Sequence, residues 1–228
     1  MKQDARALIA ELVGTFFFVT LGAGVIVTDY FTGGKAIGLL GIAVCHGLAL
    51  SLAVTATMRV SGGHLNPAVT VAMWSLGKVN APTAGAYIAA QLIGSVLAAT
   101  VLLTIFDRSV WDPVHLGTPG LGAGIHQSMG LWIEVVATFF LMFAIMGTAV
   151  YAKSPIQIGG FGVGLTIFAD ILVVGPLTGA SMNPARSFGP ALMSGFMRDH
   201  WIYWVGPIIG ALIAANVYYR FIADPDER

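Results

Sequence analysis

The sequence predicts an all-α membrane protein built from six transmembrane helices and two re-entrant half-helices in an inverted repeat. Three observations carry that prediction. The chain has 228 residues, of which 57% are hydrophobic and 10% charged, with a mean hydropathy of +0.83; a soluble domain carries about 25% charged residues. Six apolar segments approach the ~20 residues that a helix needs to cross a bilayer core. Finally, the triplet Asn-Pro-Ala occurs twice, as Asn66-Pro67-Ala68 and, 117 residues later, as Asn183-Pro184-Ala185.

The six segments lie near 7–27, 37–57, 82–106, 129–151, 157–177 and 201–222. The first has the outline of a signal peptide, a basic start and then an apolar run. Glu11 interrupts that run and the pattern returns later in the chain, so it reads as a retained span. Connections rich in Gly, Pro and charge separate the segments, at 29–35, 107–124, 153–155 and 198–200.

Each triplet follows a small, flexible lead-in, Gly62-Gly63-His64-Leu65 in the first case and Gly179-Ala180-Ser181-Met182 in the second. Asn is a favoured N-cap, and Pro at the first helical position gives up only an N–H that would be unpaired there. The apolar stretch after each triplet ends at Gly77 or Gly195, predicting half-helices near 66–76 and 183–194. About three turns cannot cross roughly 30 Å of hydrocarbon. Broken helices at membrane depth are tolerated where they are buried in protein or line a water-filled cavity.

The halves resemble each other beyond the triplets. Glu11-Leu12-Val13-Gly14-Thr15-Phe16-Phe17 recurs as Glu134-Val135-Val136-Ala137-Thr138-Phe139-Phe140, at an offset of 123. The chain therefore reads as one membrane domain, 1–228, with repeats at about 1–110 and 125–228. Three crossings per repeat deliver the second copy upside down, so the half-helices enter from opposite faces and meet by their N-termini. With the N-terminus inside, Lys2, Arg6, Arg59, Lys78, Lys153, Arg220 and Arg228 are cytoplasmic, and Lys35, Arg108 and Arg198 are outside. That bias places both termini in the cytoplasm.

Two facing helix N-termini put positive dipole ends and two Asn amides at one point. Such a point suits a neutral molecule that accepts hydrogen bonds, and it repels cations. With the Asn66 and Asn183 carbonyls used as caps, their NH₂ groups are expected to face the lumen. Arg186 follows the second triplet where Val69 follows the first; an intramembrane Arg is costly and reads as functional, with a structural ion pair as the alternative. Glu11 and Glu134 read as structural, each accepting hydrogen bonds from the re-entrant loop of its own repeat. A proton relay would need a chain of titratable groups that the neighbouring Leu, Val and Phe do not supply.

His64-Leu65-Asn66-Pro67-Ala68-Val69-Thr70 and Ser181-Met182-Asn183-Pro184-Ala185-Arg186-Ser187-Phe188-Gly189-Pro190, in an inverted repeat, resemble the major intrinsic proteins, the aquaporin family, over nearly the whole chain. The resemblance implies a right-handed six-span bundle, a homotetramer with one pore per subunit, and passive flow of water or small neutral solutes. It also implies a selectivity filter at fixed offsets from the triplets, here His46, Ile171, Ala180 and Arg186. That set, with Ile42-Ala43-Val44-Cys45-His46-Gly47-Leu48-Ala49-Leu50, is similar to the plant tonoplast intrinsic proteins. It implies passage of water and of ammonia, with urea and hydrogen peroxide as further candidates. Glycerol facilitators carry Asp after the filter Arg; Ser187 here disfavours polyols. Asp170, His115 and His126 are candidates to support the filter from behind, Asp170 by pairing with Arg186 or a loop His or by pointing away. His64 reads as an anchor of its loop. Gly85, Ala89, Gly94, Gly206 and Gly210 read as close helix crossings, and Trp111, Trp132, Trp201, Tyr203 and Trp204 as an aromatic belt.

The alternative is an ion-coupled secondary transporter, which inverted repeats with broken helices also build; the pore line offers no coupling-ion cluster. No Ser/His pair, metal-ligand set or paired catalytic carboxylates point to an enzyme, and no metal or cofactor is expected. The partners expected are the permeating solutes and the lipid bilayer; scattered basic residues exclude nucleic acid. The expected host is the plasma (cell inner) membrane rather than the vacuolar one. Ser154 is the one candidate phosphoacceptor in its short loop.

Overall fold

The computed structural model describes residues 3–151 and 158–224, with the side chains of Gln3 and Asp4 outside the description; Ser154 also lies outside it. Among the described residues, six helices are long and apolar enough to cross a membrane: Ala5–Phe31, Gly38–Ser61, Ala81–Ile105, Gln127–Val150, Gly159–Thr178 and Ile202–Ile222. They belong to α1 (Gln3–Phe31), α2 (Gly38–Ser61), α4 (Ala81–Ile105), α6 (Gln127–Ile145), α7 (Gly159–Thr178) and α9 (Ile202–Val217). Helices α6 and α9 each run on into a wider π-type turn, Met146–Val150 and Tyr218–Ile222.

The half-helices are α3 (Pro67–Ser75) and α8 (Pro184–Ser194). Each begins where its Asn side chain accepts the backbone N–H two residues on, 2.8 Å from Ala68 N to Asn66 Oδ1 and 2.9 Å from Ala185 N to Asn183 Oδ1. The Pro that follows supplies the helical φ. Helix α3 ends towards Lys78, which sits over the rings of Tyr151 and Tyr219 at the C-terminal ends of α6 and α9. Helix α8 ends towards the opposite mouth, where Ser194 Oγ lies 3.4 Å from Thr118 Oγ1 in the α4–α6 connection. The two half-helices thus run away from one another from a common centre. The α4–α6 connection carries a short helix, α5 (Arg108–Trp111), and a 3₁₀ turn, Asp112–Gly117.

The polar residues that the sequence scatters through its spans are turned inward. Glu11, Gln91, Ser95, Glu134 and Arg186 are essentially inaccessible, while Phe31, Leu40, Trp132, Val173 and Phe221 are exposed. In water that distribution would be inverted; against hydrocarbon, apolar side chains outside and paired polar groups inside is the stable arrangement. Helices close on each other through small residues. A Cβ at Gly94 would strike Leu12 O of α1, and one at Gly210 would strike Val135 O of α6, so both crossings need a hydrogen in that place. Gly85 and Ala89 depart from the expectation: both are exposed, on the outer face of α4. Tyr203 departs from the aromatic belt; it is fully buried and donates its hydroxyl to Thr178 O at 2.9 Å.

Candidate functional site

The geometry centres on the two loops that lead into α3 and α8. Gly62 closes α2 and Gly179 closes α7 with left-handed φ of 91° and 80°. Leu65 and Met182 also adopt positive φ, 49° and 52°. Non-Gly residues in that region carry strain and persist where the surroundings over-determine them. Here the surroundings are a pair of buried carboxylates. Glu11 accepts from Ser61 Oγ at 2.6 Å, His64 N at 2.9 Å, Leu65 N at 2.7 Å and Gln91 Nε2 at 2.7 Å. Glu134 accepts from Thr178 Oγ1 at 2.7 Å, Ser181 N at 3.0 Å and Met182 N at 2.8 Å. Charge-assisted bonds of this kind are roughly twice as strong as neutral ones.

The loops are also tied to each other. Asn66 Nδ2 donates to Met182 O, and Asn183 Nδ2 donates to Leu65 O, each at 2.9 Å. Neither amide is therefore wholly free to the lumen. Each spends its carbonyl on its own helix start and one N–H on the opposite loop, leaving one N–H. Both residues line a cavity of about 200 Å³ whose wall also includes Met58, Met73 and Val150, with His64 and otherwise mostly apolar side chains completing it.

On the other side of the Asn pair, Arg186 is 1% exposed and His46 2%. Arg186 Nη1 donates to Gly117 O at 2.8 Å, and Nη2 lies 3.1 Å from His46 Nε2. His46 Nδ1 lies 2.9 Å from Ile42 O, which can only accept. Nδ1 therefore carries the proton and Nε2 accepts from the guanidinium, so the imidazole is neutral and its tautomer is set by both partners. Arg186 Nε has no partner among the described residues. Ile171 and Ala180 are buried in the apolar cluster around these groups. Gly117 is a participant that residue type could not reveal, because its contribution is a backbone carbonyl.

A family model described as "Major intrinsic protein" matches residues 1–218. The chain belongs to the major intrinsic protein family. Aquaporin TIP4-4 of Zea mays is 45% identical over 222 residues, covering 93% of this chain and 85% of that one. Probable aquaporin TIP4-1 of Oryza sativa subsp. japonica is 44% identical, with the same shares covered. Aquaporin TIP2-1 of Arabidopsis thaliana is 42% identical, covering 93% and 86%. In fold, the chain superposes on the X-ray structure of the aquaglyceroporin from Plasmodium falciparum with a TM-score of 0.85, at 23% identity, covering 96% of this chain and 97% of that one.

As a major intrinsic protein with aquaporin relatives, the chain is a membrane-embedded passive channel for water and small solutes; nothing favours the ion-coupled transporter. Aquaporin family members are channels, not enzymes. The relatives correct one expectation. They are TIP aquaporins, the tonoplast intrinsic proteins, and they point to the vacuolar membrane rather than the plasma membrane. Hydropathy and Lys/Arg bias report span and orientation but carry no address; the pointer to the vacuole lay in the filter set and the stretch around His46, whose likeness to the tonoplast proteins the plasma-membrane expectation set aside.

Among the described residues, none of the three candidates for filter support makes a hydrogen bond or ion pair with Arg186. Asp170 is buried beside Ile171, and among the described residues its Oδ2 has no hydrogen-bond partner and it pairs with neither Arg186 nor a loop histidine. His115 is exposed and stacks on Phe196, with ring centroids 3.9 Å apart and planes 3° from parallel. His126 lines a basin of about 590 Å³ at the mouth with Gln127, Arg198 and Asp199. The α4–α6 connection does reach Arg186, but through Gly117 O: left-handed φ at His115 and Leu116, 47° and 55°, turns the chain inward there.

Proposed function

We propose that the chain passes water and ammonia, with urea and hydrogen peroxide as further solutes, through a filter of His46, Ile171, Ala180 and Arg186 and a midplane formed by the two Asn-Pro-Ala triplets. The observation that carries this reading is the state of the two Asn amides. Each has one N–H left after capping its helix and bonding the opposite loop. Two donors at two helix N-termini suit a neutral acceptor such as water or ammonia and disfavour a cation. At the filter, the fixed positive charge of Arg186 repeats the same selection, and Ile171 offers an apolar wall. A proton moving along a water file would have to pass both points, so protons are excluded with ions.

In this reading the chain is a channel rather than an enzyme, a single domain whose repeats lie at about 1–110 and 125–228. It works as a homotetramer with one pore per subunit, as the family resemblance implies. Stopped-flow light scattering of proteoliposomes under an osmotic step tests the water path, and the same vesicles with an internal pH dye test ammonia. Fast shrinkage with a low activation energy and fast alkalinisation under an ammonia gradient are expected. Water flow without ammonia flow would overturn the solute assignment.

A further inference from the structure

Helix α8 is bridged from outside at the turn that carries Arg186. Ser95 of α4 donates its hydroxyl to Ala185 O and accepts from Gly189 N at 3.0 Å. Those two backbone groups are four residues apart and are the pair an α-helix joins directly. The next rung is missing outright, because Pro190 has no N–H to give to Arg186 O. Arg186 therefore sits between one rung shared with a side chain of another helix and one rung that does not exist. Its turn is tied to α4 at both Ala185 O and Gly189 N.

The first half has no such device. Ala72 and Ala211 stand at the related positions, offset by 117 and 116 residues, and both are buried in an apolar cluster. The half-helix with Val69 is packed by methyl groups; the one with Arg186 is gripped by a hydroxyl. The grip also depends on closeness, since a Cβ on Gly189 would collide with Ser95 backbone and side chain. Among the described residues the guanidinium itself is held by Gly117 O and His46 alone, with Nε unpartnered. Two bonds at the tip leave its pose sensitive to the backbone beneath it.

We infer that Ser95 is a positioning residue for Arg186, setting the turn of α8 that fixes the guanidinium in the opening and so the balance between permeating solutes. This inference rests on the proposed role of Arg186 in the filter. The probes are water, by osmotic shrinkage, and ammonia, by internal alkalinisation, in proteoliposomes of matched protein content. Fewer folded channels would scale both permeabilities alike; a displaced Arg186 changes their ratio. Ser95→Ala is expected to shift the ammonia-to-water ratio by about five-fold, the factor of one ordinary hydrogen bond, and to add nothing on an Arg186→Ala background. Ser95→Thr, which keeps the hydroxyl, is expected to restore most of the native ratio. If Ser95→Ala yields no folded channel, Ser95→Cys takes its place, with the same direction expected from a weaker donor of similar volume. An unchanged ratio, or an equal shift on the Arg186→Ala background, overturns the inference. An unchanged ratio in Arg186→Ala alone overturns the filter reading on which it rests.

Discussion

The loop into α3 and the loop into α8 both hang from a carboxylate on the first helix of their half, yet the two carboxylates keep different company. Glu11 shares its site with Gln91, whose Nε2 also donates to Thr70 Oγ1 at 3.0 Å. Thr70 in turn lies 3.1 Å from His64 Nδ1 and donates to Asn66 O at 3.0 Å. That hydroxyl spends its proton on a carbonyl, so it accepts from both Gln91 and His64. The first loop is thus cross-braced by four polar side chains around Glu11. Glu134 has Thr178 and two backbone amides, with Tyr203 reaching only the Thr178 carbonyl. The second loop is hung from fewer points, and it is the one whose half-helix carries Arg186. Bracing has been placed where no charge must be positioned, and a direct grip on the half-helix where one must.

The largest effect that separates the halves comes from neutralising the carboxylates. Glu134→Gln would turn its amide NH₂ towards one backbone N–H, that of Met182 or that of Ser181, since the two donate to different carboxylate oxygens. Leaving that buried donor unserved and desolvating the new NH₂ costs about 1–3 kcal/mol each, so a loss of ~3 kcal/mol is expected. Glu11→Gln should cost about half as much, because Gln91 has a buried Oε1, unpartnered among the described residues, that a rotation of its amide brings to the new NH₂. Thermal unfolding in detergent is the measurement. Equal losses, or a larger loss at Glu11, would show that the cross-bracing confers no tolerance.

A second, somewhat smaller difference should appear at the helix backs. Gly189→Ala drives a methyl into Ser95 of α4 and should destabilise by about 1–3 kcal/mol, as overpacking does. The reciprocal Ala72→Gly removes a methyl from a half-helix packed by alanines. It should cost ~1 kcal/mol, the usual penalty for Gly inside a helix with a small packing loss added. Midpoints of heat unfolding for the two variants, taken on the same detergent-solubilised protein, decide the order. If Ala72→Gly proves the costlier, the closeness of α4 to α8 is not what holds the second half-helix.

Much of this frame is legible in the residues. Spans and half-helices emerge within a few positions, because length, hydropathy and an Asn-Pro start are strong local signals: 66–76 and 183–194 became Pro67–Ser75 and Pro184–Ser194. A carboxylate repeated at the same place in two apolar runs advertises a shared task before any partner is seen. What stays hidden is whatever depends on backbone atoms or on direction around a helix. Gly117 meets Arg186 through a carbonyl, which every residue type possesses. The Asn amides were expected to face the lumen, and the bond that each makes to the opposite loop needs the left-handed turns at Leu65 and Met182, for which neither residue type is a marker. Tyr203 reads as an interfacial aromatic until its hydroxyl is found on Thr178 O, and Gly85 as a crossing until α4 turns it outward.

The smallest expected effect concerns a carboxyl with no counterpart in the first half. Asp170 of α7 corresponds to Ala53 of α2 at the 117-residue offset of the triplets, and both are buried. Asp170 Oδ2 meets no donor among the described residues, and a buried polar atom left unpaired is a cost rather than a support. Glu134 lies within electrostatic reach, so a negative charge here would also oppose the carboxylate that holds the second loop. Asp170→Asn keeps the volume and removes the possibility of that charge. It is expected to raise the unfolding midpoint slightly, by an amount on the order of 1 kcal/mol or less. Because Asp170 bonds neither Arg186 nor His46, the ammonia-to-water ratio should stay within about two-fold of native, less than the loss of one hydrogen bond would produce. A larger change of ratio would mean that Asp170 reaches the filter through Ile171, its neighbour in sequence. The second half would then act on the opening from α7 as well as from α4.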